Sequence, residues 1–248
     1  MRRWIDNRIV RTVLTAGVYL LLWQIAAAVV ARPLLLPGPV LTIRRLFSLL
    51  AVPDSYAAIA LTLGRALLGF SLGTVAGVLL GAASGASRFA DALLSPLRSV
   101  VKATPVTSFI LLALLWFSSG MVPVWIALLM VLPTVWASVL EAVRATDPAL
   151  LEMAHAFHLS RRQRIREIYA PSALPNVLAA CSTAFGFAWK AGVAAEILAL
   201  PRLAVGSYLY RSKVTLETAD LFAWTLCVIV LSMLLERVLV RLMRRIRA

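Results

Sequence analysis

Acidic residues are scarce in this chain. Aspartate and glutamate number 11 against 25 lysines and arginines in 248 residues, a net charge of +14, and charged residues of both signs make up 15%. Soluble domains are about 25% charged and about 45–50% apolar. Here 61% of residues are hydrophobic and the mean hydropathy is +0.89. Those values exclude an ordinary soluble domain and point to an integral membrane protein. The basic excess flanks apolar runs and forms no single stripe, so it suits orientation in a bilayer and not a nucleic-acid surface.

Other chemistry is missing too. There are two cysteines, Cys181 and Cys227, both inside apolar runs and without metal-ligand spacing. They are expected as reduced, inert thiols that pack as small hydrophobes. The two histidines, His155 and His158, form E-x-x-H-x-x-H with Glu152. That spacing drifts around a helix and no further ligand accompanies it, so no metal site is expected. No G-x-x-x-x-G-K-[ST] occurs, so the chain does not bind ATP through a P-loop. No H-E-x-x-H, paired carboxylates or nucleophile–base set stands out in the apolar runs, which leaves an embedded enzyme poorly supported.

What the chain has is membrane-length apolar segments. A spanning helix needs about 20 mostly apolar residues, and six candidates occur, at roughly 12–31, 56–86, 99–117, 121–143, 175–199 and 218–240. The first follows the basic stretch MRRWIDNRIVR and runs at full spanning length to Arg32-Pro33, so it is expected as an uncleaved span. Residues 32–55 contain an amphipathic helix suited to the membrane interface. Ser118-Ser119-Gly120 makes a tight turn, and residues 200–217 form a longer loop. With the N-terminus inside, inner segments hold seventeen basic residues and outer segments six. The positive-inside rule then predicts both termini in the cytoplasm.

That orientation places the longest polar interruption, Asp147–Pro171, in the cytoplasm. Asp147 is a good N-cap with Pro148 at the first helical position. Leu150, Met153, Ala154 and Phe157 make an apolar stripe, with Glu152 and His155 off it. Ser160 with Gln163 predicts a capping box for a second helix carrying Arg161, Arg162, Arg164 and Arg166, which Pro171 and Pro175 are expected to close. The segment is either a solvated loop obeying the charge rule or a docking surface.

Three features lie within the spans. Gly69, Gly73, Gly77, Gly81 and Gly85 recur every fourth residue and predict a smooth helix-packing face, since lipid gives no hydrophobic drive for helices to associate. Lys190 sits mid-span in FGFAWKAGVAAEIL, Glu196 lies near the outer end of the same helix, and Arg65 lies near the start of the second span. Intramembrane charges default to functional hypotheses. Arg65 has two readings, a snorkelling side chain or part of the path, and Lys190 and Glu196 are candidates for the translocation pathway. Six residues separate Lys190 from Glu196, which rules against an obvious pair within the helix.

The Asp147–Pro171 segment resembles the EAA motif of ABC importer permeases of the binding-protein-dependent type. Glu152-Met153-Ala154 matches the acidic opening, with Met153 in place of the first alanine. His158 stands at the usual glycine position, Leu159-Ser160 and the arginines follow, and Tyr169-Ala170-Pro171 with Ala173-Leu174-Pro175 closes the motif. LLLPGPV, TLGRALLGFSLGTVAGVLLG, KATPV, LLWFSSG and AAEI are similar to nitrate-, sulfonate- and taurine-type permeases, so the resemblance covers most of the chain.

The resemblance implies one all-α integral membrane permease domain over 1–248, with six transmembrane helices in the type I ABC importer permease architecture. It implies a bacterial cytoplasmic (inner) membrane location, a second permease copy in a homodimer, two cytoplasmic ABC ATPase subunits and an extracytoplasmic substrate-binding protein. It implies no cofactor on this chain, with ATP and Mg bound by the ATPase, and a substrate that is a small polar or anionic solute or a vitamin precursor. It makes Asp147–Pro171 a coupling helix, with Glu152, Met153, Ala154, Phe157, His158, Leu159 and Ser160 meeting the ATPase. The rivals are a stand-alone secondary transporter or channel, against which no internal repeat is evident, and a membrane scaffold that transports nothing.

Overall fold

Residues 8–247 are described in this computed structural model, and they are helical almost throughout. Arg2 and Arg3, counted above among the inner basic residues, lie outside them. In chain order the helices are α1 (Arg8–Val30), α2 (Pro39–Leu50), α3 (Pro53–Ala86), α4 (Arg88–Ala103), α5 (Val106–Trp116), α6 (Val122–Arg144), α7 (Pro148–Ala156), α8 (Arg161–Arg164), α9 (Ala170–Ala199), α10 (Val205–Val214) and α11 (Thr218–Arg247). A π-helical turn, Ile165–Tyr169, joins α8 to α9. Among the described residues four helical stretches are long and apolar enough to cross a membrane, Val10–Val30, Pro53–Ala86, Val122–Arg144 and Arg161–Ala199. The bent pair α4–α5 makes a fifth if it is counted as one span.

Three expectations are corrected. Residues 99–117 are not one straight helix: α4 and α5 meet at 104°. The break falls at Thr104-Pro105, where the proline ring pushes the preceding residue out of the helical region, and Thr104 is extended at ψ 128°. Pro171 and Pro175 do not close the arginine helix either, since Arg161–Ala199 runs on as one 39-residue stretch. Pro171 lacks an N–H, and its ring would strike the carbonyl one turn earlier in a regular helix. The π turn widens the ladder there, with Ala170 N–H donating to the Ile165 carbonyl. Lastly, the loop over 200–217 contains the ten-residue helix α10.

The centre of the fold is α6, packed between α3 and α9. Ala127, Val131, Val135 and Val139 of α6 meet Cys181, Ala184 and Ala188 of α9 in one buried cluster. On its other side α6 lies along the glycines of α3. A Cβ on Gly73 would stand 2.8 Å from both the Leu128 carbonyl oxygen and Val131 Cβ. One on Gly77 would stand 2.9 Å from Val135 Cβ, one on Gly81 2.7 Å from Val139 Cβ, and one on Gly85 2.7 Å from Val143 Cγ1. Gly69 is equally filled, against Val124 and Ala127. Each step of four on α3 thus matches a step of four on α6, so the two helices run parallel in close backbone contact. Such contact supplies in lipid the cohesion that hydrophobic burial supplies in water.

A second cluster joins α3, α9, α10 and α11 through Ala66, Trp189, Val193, Val205, Leu209, Trp224 and Cys227. Both cysteines are free and buried. Helix α1 is peripheral, held by Trp23, which donates from Nε1 to the Pro37 carbonyl at 3.1 Å and stacks on Phe222.

Candidate functional site

The elbow between α6 and α9 is built by local capping. Asp147 Oδ1 accepts from Ala149 N–H at 2.9 Å and starts α7. The helix ends in a Schellman motif: Leu159 N–H donates to the Ala154 carbonyl at 2.9 Å and His158 N–H to the His155 carbonyl at 3.0 Å. That motif needs a left-handed residue one place past the cap, and His158 takes it with φ 51°. The position favours glycine, which explains why the family pattern has one there. Histidine is among the residues that tolerate the conformation best. Ser160 then closes a capping box, its N–H donating to Gln163 Oε1 at 2.9 Å and its Oγ accepting from Gln163 N–H at 3.3 Å.

The elbow displays its side chains. Of the predicted stripe only Ala154 is fully buried, while Leu150 and Met153 are partly out and Phe157 is 73% exposed. Glu152, His155, His158 and Ser160 are exposed, and Leu159 is half-buried. The stripe is therefore not spent on this chain's own core. At its base Arg144 donates from Nη2 to Asp91 Oδ2 at 2.7 Å, with Arg98 3.7 Å from Asp91 Oδ1. The Arg98 guanidinium lies 5.5 Å from the ring centre of Trp136, whose Nε1 donates to Ser84 Oγ. The end of α6 is thus tied to α3 and α4 where the elbow leaves it.

The three intramembrane charges separate into two kinds. Arg65 and Glu196 form an ion pair at 3.0 Å, with Glu196 completely buried. Glu196 Oε2 also accepts from Thr62 Oγ1 at 2.9 Å and from Gly206 N–H at 3.1 Å. Arg65 Nη1 donates to the Leu203 carbonyl at 2.9 Å, and Val205 N–H donates to Thr62 Oγ1 at 3.1 Å. This closed network pins the start of α10 to α3 and α9. Arg65, mostly buried, is turned to Glu196 and the Leu203 carbonyl and does not snorkel, and Glu196 faces donors of this chain. Glycine is required at 206, where a Cβ would strike Glu196 Cβ and stand 2.7 Å from the Val193 carbonyl.

Lys190 differs on every count. It is exposed, with no ion-pair partner among the described residues. Asn176 and Thr183 are exposed on the same helix at steps of seven, so all three share one face of α9 with about 20° of drift per step. Beside them Thr134, Ser138 and Glu141 of α6 and Lys102 of α4 line a cleft of about 560 Å³ that includes Asn176 and Thr183. Ser138 Oγ donates to the Asn176 carbonyl at 3.0 Å. Sequence reasoning missed Asn176 and Thr183, although their spacing from Lys190 was a readable signal. It also missed Thr62, one turn before Arg65, and Gly206, which carries no local signal.

Comparison with known proteins gives the family. Residues 73–248 match the model of the binding-protein-dependent transport system inner membrane component. The putative aliphatic sulfonates transport permease protein of Bacillus subtilis is 27% identical over 94% of this chain and 84% of its own length. The taurine transport system permease protein of Escherichia coli is 25% identical over 98% and 91%. The riboflavin transport system permease protein of Chloroflexus aurantiacus is 29% identical over 92% and 88%. In fold the chain matches a crystal structure of an amino acid ABC transporter with histidines, at a TM-score of 0.62 and 15% identity over 79% of this chain and 93% of that one. The chain belongs to the binding-protein-dependent transport system inner membrane components: it is the multi-pass permease component of an ABC importer, working with an ATPase and a binding protein carried on other chains.

Proposed function

We propose that the chain is a six-span permease with both termini in the cytoplasm, paired with a second copy, and that the exposed polar face of α9 is one wall of the path between the copies. The observation that carries this reading is the row Asn176, Thr183 and Lys190, open on a membrane-spanning helix. In contact with lipid, such a row would leave the Lys190 cation and the Asn176 amide without partners at a cost of several kcal/mol, only Thr183 Oγ1 donating back to the Ala179 carbonyl. Facing water within a dimer, it costs little. The cation suits a small anionic or polar solute, in keeping with relatives named for sulfonates and taurine. The elbow, with Glu152 and Phe157 at its surface, docks on the ATPase. Its ties through Arg144 and Asp91 let a rigid-body movement of the ATPase reach α4 and α6.

The experiment is thiol accessibility in the assembled complex. Asn176→Cys, Thr183→Cys and Lys190→Cys are treated with a charged methanethiosulfonate, which reacts with thiols in water. Leu79→Cys, on an outward face of α3, serves as the lipid-facing control. All three α9 positions are expected to react and the control to stay unreacted; inert α9 positions would remove this face from the path.

A further inference from the structure

Helix α1 stands away from the bundle. None of its apolar span is buried by the rest of the chain, and it is tethered through Trp23 to the Pro37 carbonyl and Phe222. Between α1 and α2 this leaves a crevice of about 480 Å³, walled by Ala27 and Ala28 on one side and by Val40 and Leu41 on the other. Two polar side chains line it, Gln24 of α1 and Arg44 of α2. Both are exposed, and neither has a hydrogen-bond or ion-pair partner among the described residues. The next residue, Arg45, lies about 100° further round α2 and is held by Asp220, with Nη2 2.7 Å from Oδ2. The helix thus commits one arginine to the bundle and leaves the other in the crevice.

The crevice lies at membrane depth. Pro37 and Gly38 pack against Trp23 and Gln24, and a Cβ on Gly38 would stand 3.0 Å from Gln24 Oε1, so glycine leaves room for the amide. Gln24 comes six residues before the end of α1, about 9 Å inward at 1.5 Å per residue. Helix α2 therefore begins at that depth, and its Val40 and Phe47, 75% and 70% exposed, suit contact with lipid. A guanidinium and an amide without partners are costly there, and a ligand that offers oxygen acceptors removes the cost. Arginine's planar fork matches a phosphate. One turn further inward on the same face of α1, Leu20 and Leu21 are exposed and extend the apolar wall. No carboxylate lines the crevice, so the ammonium of a zwitterionic headgroup finds no counter-charge.

We infer that the crevice between α1 and α2 is a binding site for one anionic phospholipid, with its phosphate on Arg44 and an ester carbonyl on the Gln24 amide. An acyl chain follows the alanine wall inward along α1. The lipid fills the gap that the protein leaves between α1 and the bundle.

The test titrates the complete transporter in detergent with phosphatidylglycerol or with phosphatidylcholine of the same acyl chains, and counts bound lipid by native mass spectrometry. One phosphatidylglycerol per permease copy is expected to be retained, in preference to phosphatidylcholine. Arg44→Gln is expected to weaken phosphatidylglycerol binding about tenfold or more and to abolish the preference. Arg44→Lys keeps the preference at reduced affinity, and Gln24→Leu weakens both lipids by less. All of these positions are exposed, so the fold is retained. Unchanged retention in Arg44→Gln would overturn the inference. So would an equal loss in Arg32→Gln, outside the crevice, which would mark a general surface-charge effect. Displacement of the lipid by excess inorganic phosphate would mark a site for a free anion and overturn the lipid assignment. A disulfide between copies carrying Ala28→Cys would show that a second copy covers this wall, and would overturn the inference too; no such cross-link is expected.

Discussion

The interior of the bundle and the elbow treat side chains in opposite ways. Along the α3–α6 seam the chain removes side chains altogether, with five glycines set against Val131, Val135, Val139 and their neighbours. Around Glu196 every carboxylate lone-pair direction that is used points at a donor on this chain. In the elbow, Phe157, Met153 and Glu152 are exposed, with no partner among the described residues. The difference separates groups that hold the fold from groups that the fold leaves open. A residue's type does not decide this: Glu196 is buried and Glu152 exposed, and of the two cations Arg65 is paired while Lys190 is open.

The largest stability effects therefore belong to the interior. Glu196→Ala leaves the Arg65 guanidinium facing a cavity and takes the acceptor from the Thr62 hydroxyl and the Gly206 N–H. Breaking a buried pair from one side costs about 3–5 kcal/mol, so the variant is expected to be recovered poorly and to unfold early in detergent. A normal melting temperature would show that the network adds nothing. Gly77→Leu is expected next, because the new side chain meets α6 backbone and not a flexible tip. Overpacking of this kind costs about 1–3 kcal/mol. The expected readout is loss of monodisperse protein on size exclusion, and wild-type behaviour would mean that the helices separate at little cost.

Much of this was legible in the sequence. The glycine register announced a packing face, and the matching run of valines at every fourth position of α6 would have named its partner had the two been read together. The caps of the elbow followed from Asp147, Pro148, Ser160 and Gln163, because capping is local chemistry. The Arg65–Glu196 pair was not legible, since 131 residues separate its members and nothing local states which helices touch. The break at Thr104-Pro105 was hidden by its apolar flanks, although the proline itself was in view. The passage of the helix through Pro171 depends on a π turn that no composition signals.

Elbow substitutions are expected to leave stability alone and to act on coupling. Glu152→Arg alters an exposed position and is expected to change the melting temperature little, within about 0.5 kcal/mol. Uptake driven by ATP should nevertheless be abolished while the protein still assembles in the membrane. Ordinary uptake in that variant would place the ATPase contact elsewhere.

The smallest expected effect is at His158. Its backbone is held at φ 51° by the Schellman motif, a conformation that costs a residue with a Cβ about 1–2 kcal/mol. Glycine removes that cost but returns about 0.4–1 kcal/mol to the unfolded chain as entropy. His158→Gly is therefore expected to stabilise by about 0.5–1 kcal/mol and to keep uptake. Leu216 is a matched control on the other side of the protein. It sits at φ 60° at the end of α10 in the same motif, with Glu217 N–H donating to the Ser212 carbonyl. Equal gains from His158→Gly and Leu216→Gly would mean that both positions report backbone strain alone. A gain at Leu216 with lost uptake at His158 would mean that the histidine side chain belongs to the displayed surface, and that the departure from glycine serves the contact with the ATPase.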